Sequence, residues 1–165
     1  ISTHGNMPDL FRNNPYAGEL KDPLLYDVPE EYKEADSKFA AMLEEAEKYL
    51  GYPYVWGGSD PSTSFDCSGF VSWVLVNSAV KDVGRLGATS LYGALTPIRE
   101  DEARPGDIIF FQGTLGEGVE GNDGITHCGI YVGDGMMIHC GSPISYADLS
   151  RSYWQEHFYG YARAY

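Results

Sequence analysis

The clearest helical pattern in the chain runs from Asp36 to Leu50. Apolar side chains recur there at helical spacing, at Phe39, Met42, Leu43, Ala46 and Leu50. They form one stripe, which should face the core. Glu44, Glu45 and Lys48 fall between the stripe positions, and we expect them to face water. Gly51 is well placed to end this helix.

A second helix should begin at about Cys67, because Asp66 is a favourable N-cap residue. Four apolar side chains follow at helical spacing: Phe70, Val71, Val74 and Leu75. The thiol would then lie where unpaired backbone N–H groups and the helix dipole stabilise an anion. A cysteine in that environment has a lowered pKa and more of the nucleophilic thiolate. The alternative is that Cys67 is a small core residue, which is the usual role of a free cysteine.

The segments on either side of this helix are less regular. The glycines Gly57 and Gly58 precede it and allow the backbone to approach another element closely. After it comes a polar connection, Lys81–Thr89, and the sequence then predicts a short helix over Ser90–Leu95. The turn signature Arg104-Pro105-Gly106-Asp107 then opens a strand, Ile108–Phe111. The glycine-rich, acidic stretch Gly113–Gly124 should be an exposed loop.

The last third of the chain predicts a β-hairpin, in which the runs His127–Val132 and Met136–Cys140 are joined by Gly133-Asp134-Gly135. Beyond it, the stretch Leu149–His157 is ambiguous. The alternation over Tyr159–Tyr165 is typical of a final strand.

The length of the hairpin loop decides where the two histidines point. A three-residue loop, with Gly135 in the left-handed conformation, places Val132 opposite Met136. His127 and His139 then share one face of the sheet on neighbouring strands. A two-residue turn would place them on opposite faces, because a slip of one residue flips every side chain. We predict the three-residue loop.

The same register places Cys128 opposite Cys140 on the other face. These thiols therefore cannot join the histidines in one mononuclear zinc site without breaking the alternation of the strands. We expect both to be small buried core residues, with a cross-strand disulfide as the less favoured alternative. Three cysteines cannot all pair within one chain, so at least one thiol stays free.

Residues 1–35 resemble an N-terminal arm or linker ahead of a single domain, residues 36–165. Prolines interrupt the arm at Pro8, Pro15, Pro23 and Pro29. Apolar residues are expected to attach it to the domain surface, at Leu10, Phe11, Leu24, Leu25 and Tyr26. Because the chain starts at Ile1, we expect a fragment or a mature form.

The net charge and the hydropathy of the chain argue against two kinds of function, nucleic-acid binding and spanning a membrane. The chain has 165 residues and a net charge of −13, which argues against a nucleic acid as partner. It contains no stretch long and apolar enough for a transmembrane helix, and no signal peptide.

Four motifs, in this order, resemble the NlpC/P60 family of papain-like cysteine peptidases, which cut the stem peptides of bacterial cell walls. They are Tyr54-Val55-Trp56-Gly57-Gly58, Asp66-Cys67-Ser68-Gly69-Phe70-Val71, Arg104-Pro105-Gly106-Asp107, and His127-Cys128-Gly129-Ile130-Tyr131-Val132-Gly133 with His139. The resemblance covers roughly residues 38 to 165. The chain is also similar to the C-terminal peptidase domain of bifunctional wall hydrolases of conjugative elements, in which a glycan-cleaving domain precedes a linker.

This resemblance implies a role for each of several residues. Cys67 matches the nucleophile, His127 the general base and His139 the third, orienting residue. Tyr54 matches a tyrosine near the oxyanion site, although its spacing alone favours packing.

Asp66 and Ser68 match residues that shape the substrate pocket. The resemblance also implies an α+β, papain-like fold, in which the helix that carries Cys67 packs on a central antiparallel sheet.

The implied activity is hydrolysis of peptidoglycan stem peptides at the γ-D-glutamyl–diamino acid bond, outside the cell and at the wall. It needs no metal or cofactor, and we expect a monomer. Two other classes stay open. One is a Cys-His amidase or acyltransferase of the same fold group, and the other is a non-catalytic wall-binding module.

Overall fold

An antiparallel sheet lies at the centre of the computed structural model, which describes residues 22–165. Its strands are β3 (Thr96–Ile98), β4 (Ile108–Gln112), β5 (Ile125–Gly133), β6 (Met136–Cys140), β7 (Ile144–Asp148) and β8 (Phe158–Arg163). They lie in the order β3-β8-β4-β5-β6-β7. A separate small hairpin pairs β1 (Ser59–Asp60) with β2 (Ser64–Phe65).

Five α-helices surround this sheet in the described part of the chain. They are α1 (Glu30–Ala35), α2 (Ser37–Glu47), α3 (Cys67–Asn77), α4 (Ala88–Ala94) and α5 (Ser152–His157), and a short 3-10 helix covers Glu100–Glu102. The expected α+β fold is therefore confirmed. Over residues 22–165, none of these helices is both long and apolar enough to cross a membrane.

The two predicted helices form where the sequence places them. The Asp36 carboxylate accepts hydrogen bonds from the backbone N–H groups of Lys38 and Phe39, both at 3.1 Å, and so caps α2. The five side chains of the predicted stripe are buried. Helix α4 begins at Ala88 rather than at the predicted Ser90.

Glu45 is buried, so the expectation that it faces water is wrong. Its carboxylate accepts hydrogen bonds from the Tyr49 hydroxyl at 2.5 Å and from Trp73 Nε1, on α3, at 3.1 Å. Lys48 Nζ lies 2.9 Å from the same carboxylate. These donors satisfy a buried acid that an isolated helix would leave in water.

Replacement of Glu45 by Gln is expected to lower the free energy of unfolding by about 1–2 kcal/mol at pH 7, because a charge-assisted hydrogen-bond network is lost. Burial opposes ionisation of Glu45, but hydrogen bonds from Tyr49, Lys48 and Trp73 outweigh it and lower the pKa of Glu45 below its usual 4.5. The contribution is therefore complete above pH 4.5 and is lost as pH falls through the folded-state pKa. Urea unfolding at pH 7 and at pH 4 measures both effects.

Glu44→Gln is the matched control, because Glu44 is exposed on the same helix. The Glu45→Gln variant should lose less stability than the wild type between pH 7 and pH 4. Equal unfolding free energies for the two variants at pH 7 would contradict the assignment.

The described part of the N-terminal arm contacts the domain. The backbone carbonyl of Leu24 accepts a hydrogen bond from Tyr146 N at 3.0 Å, and the rings of Tyr26 and Tyr146 lie 5.7 Å apart. Leu25 and Tyr26 pack against the core, whereas Leu24 is exposed. The prediction for Leu10 and Phe11 lies outside the described residues.

The β5–β6 hairpin has the predicted register over most of its length. The pairs that the prediction requires are present: Ile130 with Ile138, and Tyr131 with Met137. The side chains of the two strands therefore alternate between the faces as expected.

The turn that produces this register is not the predicted one. Gly133 pairs with Met136, so only Asp134-Gly135 remains as the loop. Both residues have positive φ, +53° and +73°, as a two-residue hairpin turn requires. The register then shifts between Tyr131 and Gly133, and Val132 is the extra residue. This bulge restores the alternation that the short turn alone would have reversed.

The two faces of the sheet carry different partners. Helix α3 packs on one face, where its apolar side chains meet Cys128, Ile130 and Ile138. A second apolar cluster covers part of the other face and includes Phe111, with Trp154 of α5 packed against it.

Candidate active site

The start of α3 lies in direct backbone contact with the turn that precedes β1. Asp66 caps the helix, since its Oδ1 accepts a hydrogen bond from Gly69 N at 2.7 Å. The predicted helix start at Cys67 is confirmed. A Cβ atom added to Gly69 would lie 2.1 Å from the carbonyl oxygen of Gly58, so only glycine permits this approach. Of the two glycines expected to allow a close approach, only Gly58 makes one, to the helix itself and to β2, whereas a Cβ atom on Gly57 would meet nothing within 4 Å.

A β-bulge brings strand β5 to the thiol of Cys67. Phe111 pairs with His127 and Gln112 pairs with Ile125, which leaves Thr126 as the extra residue. The Thr126 carbonyl accepts a hydrogen bond from Cys67 Sγ at 3.7 Å. Bulges next to active sites commonly re-aim a neighbouring side chain, and here that neighbour is His127. Sequence reasoning did not identify Thr126, because nothing local marks the bulge.

The two predicted histidines meet on one face of the sheet. His127 Nε2 and His139 Nδ1 lie 2.8 Å apart, within hydrogen-bond distance. A Cβ atom on Gly129 would lie 3.0 Å from His139 Cβ, so the glycine leaves room for the His139 side chain on the neighbouring strand. The expectation of a shared face is confirmed, although the turn that achieves it differs.

The buried histidine of the pair stays neutral. Two causes lower the pKa of His139 well below 6.5: burial, which is the larger, and the charge of His127. A neutral His139 with its proton on Nε2 accepts at Nδ1 from the Nε2–H of His127. This arrangement leaves His127 Nδ1 as the free basic atom of the pair.

Cys67 lies in an environment that favours its thiolate. A hydrogen bond from the Cys128 thiol, together with a hydrogen bond and the positive charge of His127, lowers the pKa of Cys67 well below 9.0. Burial and the nearby carboxylate of Asp66 oppose this shift. The Cys128 thiol donates a hydrogen bond to the Cys67 sulfur. This bond, together with burial, raises the pKa of Cys128, so the Cys128 thiol stays protonated.

All three cysteines are free. Cys128 and Cys140 are fully buried, as expected for core residues. The contact of Cys128 with Cys67 was not foreseen. Within residues 22–165, no group of three or more His, Cys, Asp or Glu side chains is arranged to hold a metal ion.

A cleft of about 390 Å³ opens over the histidine pair. Trp154 forms one wall: its ring is stacked on His127 at 5.6 Å and meets His139 edge-on at 5.1 Å. Thr114 and Leu115, at the start of the loop after β4, line the same cleft. Aromatic stacking holds the imidazole of His127 in place and excludes water from one side of it.

A sequence model of the NlpC/P60 family matches residues 51–163. The chain belongs to the NlpC/P60 family. It is 44% identical over 126 residues to the bifunctional muramidase/DL-endopeptidase CwlT of Bacillus subtilis, a match that covers 76% of this chain and 36% of CwlT. It is 33% identical over 144 residues to the γ-DL-glutamyl hydrolase of the same organism, covering 86% of this chain and 30% of that protein. The chain thus spans about a third of each relative.

A solved structure shows the same NlpC/P60 fold. It is that of a lipoprotein-like member of the NLP/P60 family from Staphylococcus aureus, with a TM-score of 0.70 and 39% identity, covering 87% of this chain and 44% of that one. The expected similarity to bifunctional wall hydrolases is confirmed by CwlT.

The NlpC/P60 resemblance also singled out Tyr54, which lines the cleft together with both histidines. Burial, which is the larger cause, and the charge of Cys67 both raise the pKa of Tyr54. Its phenol therefore stays protonated and is available as a hydrogen-bond donor. The side chain also packs against the core, as the packing interpretation expects, and its role near an oxyanion site stays a prediction.

The remaining residues that the NlpC/P60 motif suggested are Asp66 and Ser68. Both lie at the start of α3, and both hydrogen-bond Arg85. Sequence reasoning placed Arg85 in a polar connection and missed it. Its contact with Asp66 joins positions 19 residues apart in the sequence.

Proposed function

We propose that this chain is a cysteine endopeptidase acting on bacterial peptidoglycan, with Cys67 as nucleophile, His127 as general base and His139 as the residue that orients His127. The observation that carries the proposal is the position of the Cys67 thiol, at a helix start and 3.7 Å from the carbonyl of Thr126, which directly precedes His127 of a histidine pair with ring nitrogens 2.8 Å apart. The names of CwlT and of the γ-DL-glutamyl hydrolase support the same class of reaction.

The first chemical step forms the acyl-enzyme. His127 Nδ1 takes the proton of the Cys67 thiol, and the thiolate attacks the scissile carbonyl carbon. The backbone N–H of Cys67, unpaired in the first turn of α3, and the Tyr54 hydroxyl donate to the oxyanion that forms. His139 accepts from His127 Nε2–H throughout and stabilises the imidazolium.

The second half of the reaction releases both products. The imidazolium of His127 gives its proton to the leaving amine as the C–N bond breaks. His127 then takes a proton from water, which attacks the thioester and frees the carboxylate product and the thiol. No step uses a metal or a cofactor.

The bond that we propose is the one between D-glutamate and the diamino acid of the stem peptide. Both relatives carry names that refer to a DL bond. The site of action is then the cell wall, outside the cell, and the chain acts there as a monomer. In a longer protein, an upstream glycan-cleaving domain would accompany it, as the name of CwlT describes for that relative.

Digestion of purified peptidoglycan tests the proposal. Walls that contain diaminopimelate and walls that contain lysine are incubated with the enzyme, and mass spectrometry identifies the soluble fragments. We expect fragments ending in D-glutamate together with fragments that carry a new diamino-acid amine. The blank is enzyme alkylated at Cys67 with iodoacetamide, which should release nothing.

Other outcomes would redirect the assignment. Fragments cut only at the cross-link between stem peptides would overturn the bond but leave the peptidase class intact. Transfer of the glutamyl group to an added amine in place of water would favour the acyltransferase alternative. Binding to both walls with no release of fragments would favour a wall-binding module.

A further inference from the structure

Arg85 joins the start of α3 to the turn before β1. Its Nη2 donates to Asp66 Oδ1 at 2.8 Å and to the Gly58 carbonyl at 3.3 Å. Its Nη1 donates to Ser68 Oγ at 3.0 Å, and its Nε donates to Ser59 Oγ at 3.2 Å. One guanidinium therefore hydrogen-bonds two adjacent segments, residues 57–60 and 66–69, and neither segment contains a Lys or Arg of its own. Such a fork of donors suits arginine rather than lysine.

The Asp66 carboxylate that Arg85 binds also accepts hydrogen bonds from two backbone N–H groups. Asp66 Oδ1 accepts from Gly69 N at 2.7 Å and Oδ2 accepts from Gly57 N at 3.1 Å. The Asp66 side chain is 14% exposed and that of Arg85 is 33% exposed. Asp66 is therefore held in place by the fold, next in sequence to Cys67. A fixed negative charge beside a thiol opposes formation of the thiolate.

We propose that Arg85 is a positioning residue that holds the Asp66 carboxylate as the cap of the Cys67 helix and neutralises its charge beside the thiol. The inference rests on the proposed role of Cys67 as the nucleophile.

The other groups that face Cys67 do not take over this task. His127 and Cys128, on β5, and Cys140, on β6, interact with it electrostatically. Tyr54 faces it from the segment before β1. His127 supplies positive charge to the thiolate directly, whereas Arg85 is the cation bonded to the opposing carboxylate.

The pH dependence of Cys67 alkylation by iodoacetamide measures the effect, with the labelled peptide identified by mass spectrometry. In Arg85→Gln we expect the midpoint to rise by about one pH unit, so that alkylation below both midpoints is about tenfold slower. Arg85→Lys should restore part of the shift, because it keeps the charge without the fork. The double variant Asp66→Asn, Arg85→Gln should return the midpoint to the wild-type value or below, because no carboxylate remains.

Arg99→Gln is the matched control, because Arg99 is exposed and its ion pairs are with Asp101 and Glu102. An unchanged midpoint in Arg85→Gln, or a raised midpoint that persists in the double variant, would overturn the proposal.

If Arg85→Gln fails to fold, its buried Cys128 and Cys140 will react as well. The single variant Asp66→Asn then decides, since it should lower the midpoint. A wild-type midpoint equal to that of an ordinary thiol would instead overturn the proposed role of Cys67, whatever Arg85 does.

Discussion

Replacement of Cys67 by Ala is expected to abolish hydrolysis of peptidoglycan, with a fall in kcat of at least about 10³-fold. The Cys67 sulfur is the only atom of the protein that forms a covalent bond to substrate in the proposed mechanism. His127, the cleft and the oxyanion donors remain in this variant, but they have no acyl-enzyme to stabilise. The release of soluble stem-peptide fragments per minute, at saturating substrate, gives the measurement.

Cys140→Ala is the matched control for this loss. The Cys140 thiol is fully buried and donates to the carbonyls of Phe65, at 3.2 Å, and Gly141, at 3.8 Å, so its removal costs these two hydrogen bonds but leaves the Cys67 thiol in place. This variant should retain most of the activity while Cys67→Ala retains none. Substantial hydrolysis by Cys67→Ala would show that a different residue or an activated water attacks the carbonyl. Folding of both variants is checked by their melting temperatures.

Sequence reasoning succeeded where the controlling chemistry is local. The start of α3 follows from Asp66, whose side chain reaches only three residues ahead to Gly69 N. The shared face of His127 and His139 follows from the strict alternation of strands. Even here the detail was wrong, because a two-residue turn and a bulge at Val132 together replaced the predicted three-residue loop.

Sequence reasoning failed where distant segments supply the partners. The helical pattern alone predicts that Glu45 is exposed to solvent. The hydrogen bond from Trp73, on another helix, helps to account for its burial. Thr126 becomes the extra residue of a bulge only once β4 pairs with β5. Arg85 lies in a polar connection without periodicity, and Trp154 lies in a stretch that was ambiguous. Each of these roles is set by tertiary contacts, which a pattern along one chain does not contain.

The edge strands were missed for a related reason. Strand β3 has three residues, one of them Pro97, and proline is tolerated in a sheet mainly at an edge. Strand β7 pairs with β6 and forms the opposite edge. A strand as short as β3 carries too few alternating positions to be distinguished from a loop.

Replacement of His139 by Leu is expected to lower kcat by roughly 10²- to 10⁴-fold with little change in KM. His139 Nδ1 lies 2.8 Å from His127 Nε2, and leucine removes this acceptor while filling the buried space. His127 Nε2–H is then left without its partner, and the ring is free to adopt the tautomer or rotation that turns the basic nitrogen away from Cys67. Stacking on Trp154 restrains the plane of the ring but not the choice of tautomer.

The substitution His139→Asn separates orientation from packing. Its amide oxygen is able to accept from His127 Nε2–H, so this variant should recover at least about tenfold in kcat over His139→Leu. His157→Asn is the control, because His157 bonds the carbonyl of Gln112 at 2.8 Å and lies outside the histidine pair. Equal activity of the Leu and Asn variants would show that His139 acts by filling space. An unchanged kcat in His139→Leu would show that Trp154 and the bulge at Thr126 hold His127 in its productive tautomer without an acceptor.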